Sequence, residues 1–394
     1  MTGNCQKPAL RFKGFTDAWE QHTVGHLFQV TRGYVLAVSK ISNQKTEEMP
    51  YPVYSSQTHN NGLLGYYKDY LFNTAITWTT DGANAGTVNY RSEKFYSTNV
   101  NGVLLSENGN ANECVAEILN LVAWKYVSHV GNPKLMNIVM SEIKINIPAT
   151  IEEQQKISVL LMGIGSLITI HQHKYDKLTN IKKSMLEKLF PEYGSNVPKI
   201  RFSGFTDAWE QCELANLADI VGGGTPSTGI EDYWNGNIDW YSPVEIGEQI
   251  FVNGSQKKIT KLGLQNSSAK ILPIGTVLFT SRAGIGNTAV LAKQGSTNQG
   301  FQSIVPHKDK LESYFIFSRA NELKKYGETI GAGSTFIEVS GKQMAKMPIF
   351  VPNFTEQMKI GNFFRKIDSL ITLHQRELEK LKNVKKALLG KMFF

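Results

Sequence analysis

Apolar residues recur at every seventh position along two stretches, one near the middle of the chain and one at its end. In the first, Ile157, Ile164, His171, Leu178 and Met185 form a heptad row, and Leu160, Leu161, Leu167, Ile168, Tyr175, Ile181 and Leu189 fill the adjoining stripe. The second repeats the row with Ile360, Ile367, His374, Leu381 and Leu388, flanked by Phe363, Phe364, Leu370, Ile371, Leu378 and Val384. An apolar period of seven held over several heptads predicts a coiled-coil seam. Pro148 and Pro352 precede the two stretches and Pro191 follows the first, which brackets them as helices. The positions from Glu153 to Phe190 would extend about 57 Å at helical rise.

Elsewhere the pattern is shorter. Ala75–Thr80 and Thr276–Thr280 read as strands, Glu113–Tyr126 and Lys310–Tyr326 as helices. Turn residues are dense between them, as in Asn60-Asn61-Gly62, Gly222-Gly223-Gly224 and Asn253-Gly254. Mixed α+β domains are expected.

The two helical stretches are copies. From Glu153 to Phe190 against Glu356 to Phe393 no gap is needed and about half the positions agree, including EQQKI with EQMKI and SLITIHQ with SLITLHQ. A second match lies upstream: RFKGFTDAWEQ at Arg11–Gln21 returns as RFSGFTDAWEQ at Arg201–Gln211. Self-similarity on this scale marks a tandem duplication. It divides the chain into a globular domain at 1–147, a helix at 148–197, a second globular domain at 198–350 and a second helix at 351–394. The stretches between the matches, roughly 22–147 and 212–351, show little mutual similarity. Two helices in one chain should pack on each other, antiparallel if the repeats obey a pseudo-two-fold axis. His171 stands beside the midpoint of its helix, so His171 and His374 are expected near that axis, either setting register or as ordinary solvated heptad positions.

Length and composition agree with two soluble domains: 394 residues, 41% hydrophobic and 19% charged. No secretory signal opens the chain, and Val159–Ile170 is too short an apolar run to span a bilayer. Cys5, Cys114 and Cys212 have no metal-ligand or CxxC spacing and read as reduced thiols of a cytoplasmic protein. The net charge of +8 permits nucleic-acid binding. Its distribution weakens that inference, because the final helix holds nine basic against four acidic residues while the globular parts are nearly balanced. That excess suits a phosphate-binding stripe or merely a solvated face.

Catalytic signatures are missing. The sequence contains no phosphate loop of GxxxxGK[ST] type, no HExxH, no paired CxxC, no GxSxG and no Asp/Asn-Pro-Pro-aromatic methyltransferase motif. Glu142-Ile143-Lys144 lacks the Pro-Asp partner of a nuclease site and reads as strand. Gly222–Ser227 suits either an anion-binding nest or a turn. No metal site is expected.

Polar and aromatic loops are the remaining chemistry. Asn and Gln can bridge adenine, Arg can bridge guanine, and Ser or Thr can position phosphates. On that basis the candidate DNA contacts are Arg32, Tyr34, Ser56, Gln57, Asn60, Trp78, Thr80, Asn84 and Arg91 in the first domain. In the second they are Thr225, Ser227, Trp240, Ser242, Ser281, Arg282, Asn298, Gln299 and Ser334. Turns are rich in the same residue types, so a coiled-coil scaffold whose globular ends bind protein or glycan is the rival reading.

In order along the chain, the RFxGFTDAWEQ segments, WTTDGANAG at Trp78–Gly86, GGGTPS at Gly222–Ser227, GSTFIEVS at Gly333–Ser340 and the proline-bracketed EQxKI helix starts resemble the specificity subunit of type I restriction–modification systems. The resemblance covers essentially the whole chain. It implies two target-recognition domains joined by an antiparallel helical spacer, each domain contacting half of a bipartite, asymmetric site in double-stranded DNA. It also implies a non-catalytic subunit that docks two adenine-methyltransferase subunits and, through them, restriction subunits. S-adenosylmethionine, ATP and magnesium would belong to those partners, with no cofactor in this chain and no membrane association.

Overall fold

The computed structural model describes residues 7–56, 59–192, 194–247, 249–282, 284–331 and 338–393. It divides into two compact units, Met1–Gln172 with Gln375–Phe394, and His173–His374. The linear order of domains and helices is therefore not the division in space, because each long helix is shared between units. The helices run Ile151–Lys188 and Phe354–Met392.

Both helices start in the same way. The Thr150 hydroxyl accepts from the Glu153 amide at 3.3 Å, and the Asn353 side chain accepts from the Glu356 amide at 3.0 Å, satisfying donors that a first helical turn leaves open. The next residues, Gln154 and Gln357, are 1% exposed, and each donates to the carbonyl of the proline ahead of its helix, Pro148 or Pro352. The Glu-Gln pair of the repeated motif is thus buried polar framework.

Along each seam the burial follows the heptad. Ile157, Ile164, Ile360 and Ile367 are buried, and His171, Leu178, His374 and Leu381 are half-buried. In the second unit the ring of Phe190, just past the end of the first helix, stacks on Phe364 at 5.8 Å, and Lys182 pairs with Asp368 at 2.6 Å. Residue number falls on one helix as it rises on the other, so the halves pack antiparallel. The first unit does the same, with Ile157 and Leu161 sharing a core with Met392 and Phe393. His171 belongs to the first unit and His374 to the second.

The RFxGFTDAWEQ segments brace these pairs. The Arg11 guanidinium grips Glu153 through two bonds of 2.6 and 2.7 Å, and Leu10 donates its amide to the carbonyl of Lys391. Arg201 grips Glu356 at 2.9 and 2.6 Å, and Ile200 donates to Lys188. Each copy, together with the residue just ahead of it, therefore holds the start of one long helix and the end of the other. Trp19 and Trp209, from the same segments, are buried in the two cores.

The globular parts share a frame that their sequences conceal. In the first unit, β1 (Glu20–Thr23) pairs with β8 (Lys144–Ile147). A mixed sheet follows the order β2 (Gln29–Arg32), β7 (Asn101–Leu105), β5 (Phe72–Thr79), β6 (Val88–Ser97), β3 (Tyr51–Tyr54) and β4 (Leu63–Tyr67). In the second, β9 (Glu210–Glu213) pairs with β18 (Pro348–Val351), and a five-stranded sheet takes the order β10 (Ala218–Gly222), β17 (Gln302–Pro306), β14 (Val277–Phe279), β15 (Thr288–Leu291) and β12 (Phe251–Val252). A separate three-stranded sheet holds β13 (Lys257–Ile259), β11 (Trp234–Tyr241) and β16 (Ser296–Thr297). The antiparallel pairing of β2 with β7 reappears as β10 with β17, and the parallel pairing of Val53 and Tyr54 with Tyr96 and Ser97 reappears as Trp240 and Tyr241 with Ser296 and Thr297. The expected strands and helices at 75–80, 276–280, 113–126 and 310–326 are all present, the last as two helices, Ser313–Ser318 and Ala320–Gly331. Glu142 ends a short helix and Lys144 begins β8.

Among the described residues no helix is long and apolar enough to cross a membrane, and no group of three or more His, Cys, Asp or Glu could hold a metal ion. Cys114 and Cys212 are free thiols, and Cys5 lies outside the described residues.

Candidate nucleic-acid interface

In each unit one short loop gathers the others. In the first it is Ser97–Asn101. The Tyr34 amide donates to the Ser97 carbonyl, the Thr98 amide to Tyr54, the Thr98 hydroxyl to that of Ser55, and the Thr80 amide to Val100, all within 2.9–3.1 Å. In the second it is Thr297–Phe301, which receives the amide of Gly224 on Thr297 and that of Ser281 on Gly300, while Asn298 donates to Tyr241. Residue by residue the bonds correspond. Tyr34 matches Gly224, Tyr54 matches Tyr241, Thr80 matches Ser281, Thr98 matches Asn298 and Val100 matches Gly300. Close approach fixes one more pair, because a Cβ on Gly33 would sit 2.1 Å from the Ser97 carbonyl oxygen and one on Gly223 would sit 2.0 Å from that of Asn298. Only glycine fits there.

The anion-nest reading of Gly222–Gly224 is corrected by this. None of the three has positive φ, which a nest of alternating hand requires. Gly223 and Gly224 are glycine because backbone and Ser268 pack where side chains would be, whereas Gly222 has room for one.

On this frame the exposed candidates are Arg32, Tyr34, Asn60 and Asn84 in the first unit and Thr225, Ser227 and Gln299 in the second; Ser56, Ser242, Arg282 and Asn298 are half-buried. The Thr225 hydroxyl donates to the Gln299 side chain at 2.5 Å. The Ser242 hydroxyl and amide both donate to the Glu245 carboxylate at 2.9 Å. Gln57 and Ser334 lie outside the described residues.

Five candidates are not presented for binding. Trp78 and Trp240 are 1% and 6% exposed, and their indole N–H groups are spent on the carbonyls of Leu135 and Gly224. Thr80 and Ser281 are buried under the same loops. Arg91 is 6% exposed, lies 3.6 Å over the Tyr54 ring, and donates to the Thr77 hydroxyl and the Asn61 carbonyl. It restrains Asn60 and Asn61, both left-handed at φ 53°. Burial pulls the Arg91 guanidinium down to about 10 and pushes the Tyr54 phenol up to about 12, so at neutral pH the pair is a cation on a neutral ring. These side chains build the frame.

The frame also exposes positions that the sequence pattern missed. Asn99 is exposed and corresponds to Gln299, and Asp81 corresponds to Arg282. Neither stands out without the hydrogen-bond correspondence, since the surrounding sequences do not align by eye. The surfaces therefore differ where the frames agree. Arg32, Tyr34, Asp81 and Asn99 stand in one unit where Gly222, Gly224, Arg282 and Gln299 stand in the other.

Comparison with known proteins gives one family. The model for the type I restriction modification DNA specificity domain matches twice, at residues 16–180 and 206–383. The chain is 34% identical over 181 residues to the type I restriction enzyme MjaIX specificity subunit of Methanocaldococcus jannaschii, a stretch covering 45% of this chain and 41% of that protein. It is 28% identical over 165 residues to the EcoR124I/EcoR124II specificity subunit of Escherichia coli, 40% of each chain. These matches span less than two thirds of either relative. In fold, the chain resembles the crystal structure of the type I restriction-modification S subunit from M. genitalium, with a TM-score of 0.69, 99% of both chains covered and 15% identity.

Proposed function

This chain belongs to the type I restriction–modification DNA specificity family, and from that membership we propose that it reads a bipartite, asymmetric site in double-stranded DNA, one half-site through each unit. The observation that carries the reading is the pair of matching loop hubs with unlike surfaces. Identical halves of a repeated protein read identical half-sites at a spacing fixed by geometry. Here Asp81 and Arg282 occupy one frame position with opposite charge, and Tyr34 faces a partner position that has no side chain. An acceptor-only carboxylate favours cytosine, whereas a guanidinium favours guanine. Two different half-sites follow, about one helical turn apart centre to centre.

The chain supplies recognition and no chemistry. Two adenine-methyltransferase subunits dock on it, restriction subunits join them, and S-adenosylmethionine, ATP and magnesium are bound by those partners. The braced helix pairs serve as the spacer.

Methylome sequencing of cells expressing the chain with its cognate methyltransferase tests this. A bipartite N6-methyladenine motif is expected that vanishes without the chain. Replacing residues 22–147 with another recognition domain should change one half of the motif. Simultaneous change in both halves, or methylation without a bipartite motif, contradicts the reading. Binding that ignores salt concentration would also argue against a DNA ligand.

A further inference from the structure

Beside the hub of the first unit stands a hairpin with an apolar tip. Ser128 and Lys134 exchange both backbone bonds, at 2.8 and 3.0 Å, and Gly131 turns the chain between them at φ 76°. Val130 at the apex is 92% exposed, with exposed His129 and Asn132 on either side. A lone exposed valine is ordinary on a protein surface. This one is cantilevered from the reading loops. The Gly82 amide donates to the Pro133 carbonyl at 2.9 Å, Lys134 lies 3.7 Å from the Asp81 carboxylate, and Leu135 is tied to Thr80 and to the Trp78 indole.

The same anchor exists in the second unit, where Val339 donates to the Ser281 carbonyl as Leu135 does to Thr80. The sequence leading to that anchor is AGSTFIE at 332–338, which matches SHVGNPK at 128–134 at no position. Divergent sequence therefore precedes a shared anchor, as it does at the other loop positions of the two hubs. The loop 129–133, closed by the single bridge between Ser128 and Lys134, is no wider than the two-stranded ribbon that the major groove of B-DNA admits, and the apolar mark on a base edge there is the thymine methyl.

We propose that the hairpin Ser128–Lys134 enters the major groove of the first half-site and that Val130 selects a thymine through its 5-methyl group. The proposal rests on the reading given under Proposed function. Lys134 holds the loop against the Asp81 turn, and the exposed polar neighbours keep the tip hydrated until DNA displaces that water.

The test uses the chain assembled with its methyltransferase subunits, and duplexes in which each first-half-site thymine is replaced in turn by uracil. Such a thymine exists, because it pairs with the target adenine. The intact complex should lose about four-fold in methylation efficiency at one uracil position, the worth of one buried methyl. Val130→Ala should lose that sensitivity, keep its preference in the second half-site and melt at the same temperature as the parent chain. A parent complex indifferent to every uracil, or a Val130→Ala complex equally sensitive, overturns the assignment of Val130 while leaving bipartite recognition intact. Loss of all sequence preference in the parent complex overturns both.

Discussion

Replacing Arg201 with alanine should loosen the second unit and leave the first intact. The Arg201 side chain is 11% exposed and Glu356 1% exposed, and the two meet through a pair of parallel bonds at 2.9 and 2.6 Å. A third bond, from Arg201 Nη1 to the Asp207 carbonyl at 2.7 Å, fixes the guanidinium to its own segment. Fork-to-fork geometry with the carboxylate out of water is where an ion pair matters most, and removing one partner strands a buried charge. The expected cost is about 3–5 kcal/mol, against about 0–1 kcal/mol for an exposed pair. Hydrogen exchange resolves the two units within one chain. Amides of β14, Val277–Phe279, should exchange faster by roughly two to three and a half decades, at about 1.4 kcal/mol per decade. Those of Ile76–Trp78 in β5 serve as the internal control. Arg201→Ala/Glu356→Ala should recover part of the loss, because it removes the stranded carboxylate, and Arg201→Lys should be intermediate, because an ammonium cannot form the fork. An effect below about 1 kcal/mol would refute the brace as a determinant of the fold.

Gly102→Ala would place a Cβ 2.1 Å from the buried Trp78 ring, so a stability loss of about 1–3 kcal/mol or more is expected in thermal melts; an unchanged melting temperature contradicts the packing described. Arg91→Ala should destabilise the first unit by about 2 kcal/mol or more, whereas Arg32→Ala should stay within about 0.5 kcal/mol of the parent and alter only first-half-site preference. The reverse pattern would return Arg91 to the list of base contacts. The Tyr54 phenol, raised by burial to about 12 from an ordinary 10, keeps its proton in the folded state after the unfolded chain has lost it. Its contribution is complete below pH 10 and is lost as pH rises through 12, so Tyr54→Phe should flatten the alkaline fall of the urea midpoint. Tyr241 and Tyr314, also raised by burial, keep that fall from vanishing.

By itself the sequence determined the duplication, the two long helices, their seam and the family resemblance. Heptad periodicity is a local property, and a seam residue such as Ile157 or Ile360 is buried wherever its helix finds a partner. The repeated RFxGFTDAWEQ and EQxKI segments were legible as copies because their contacts demand particular side chains, an arginine for a buried glutamate and a tryptophan for a core. Tertiary structure alone decided that each motif braces the start of one helix and the end of the other, since those atoms are distant in sequence. It alone showed that the divergent globular segments share a frame, because backbone hydrogen bonds such as Thr80 to Val100 and Ser281 to Gly300 are blind to side-chain identity. It also separated exposed Arg32 from buried Arg91, two arginines that residue type alone had offered equally as guanine contacts. Exposure depends on which strands and rings pack over a residue, and that is set by long-range pairing.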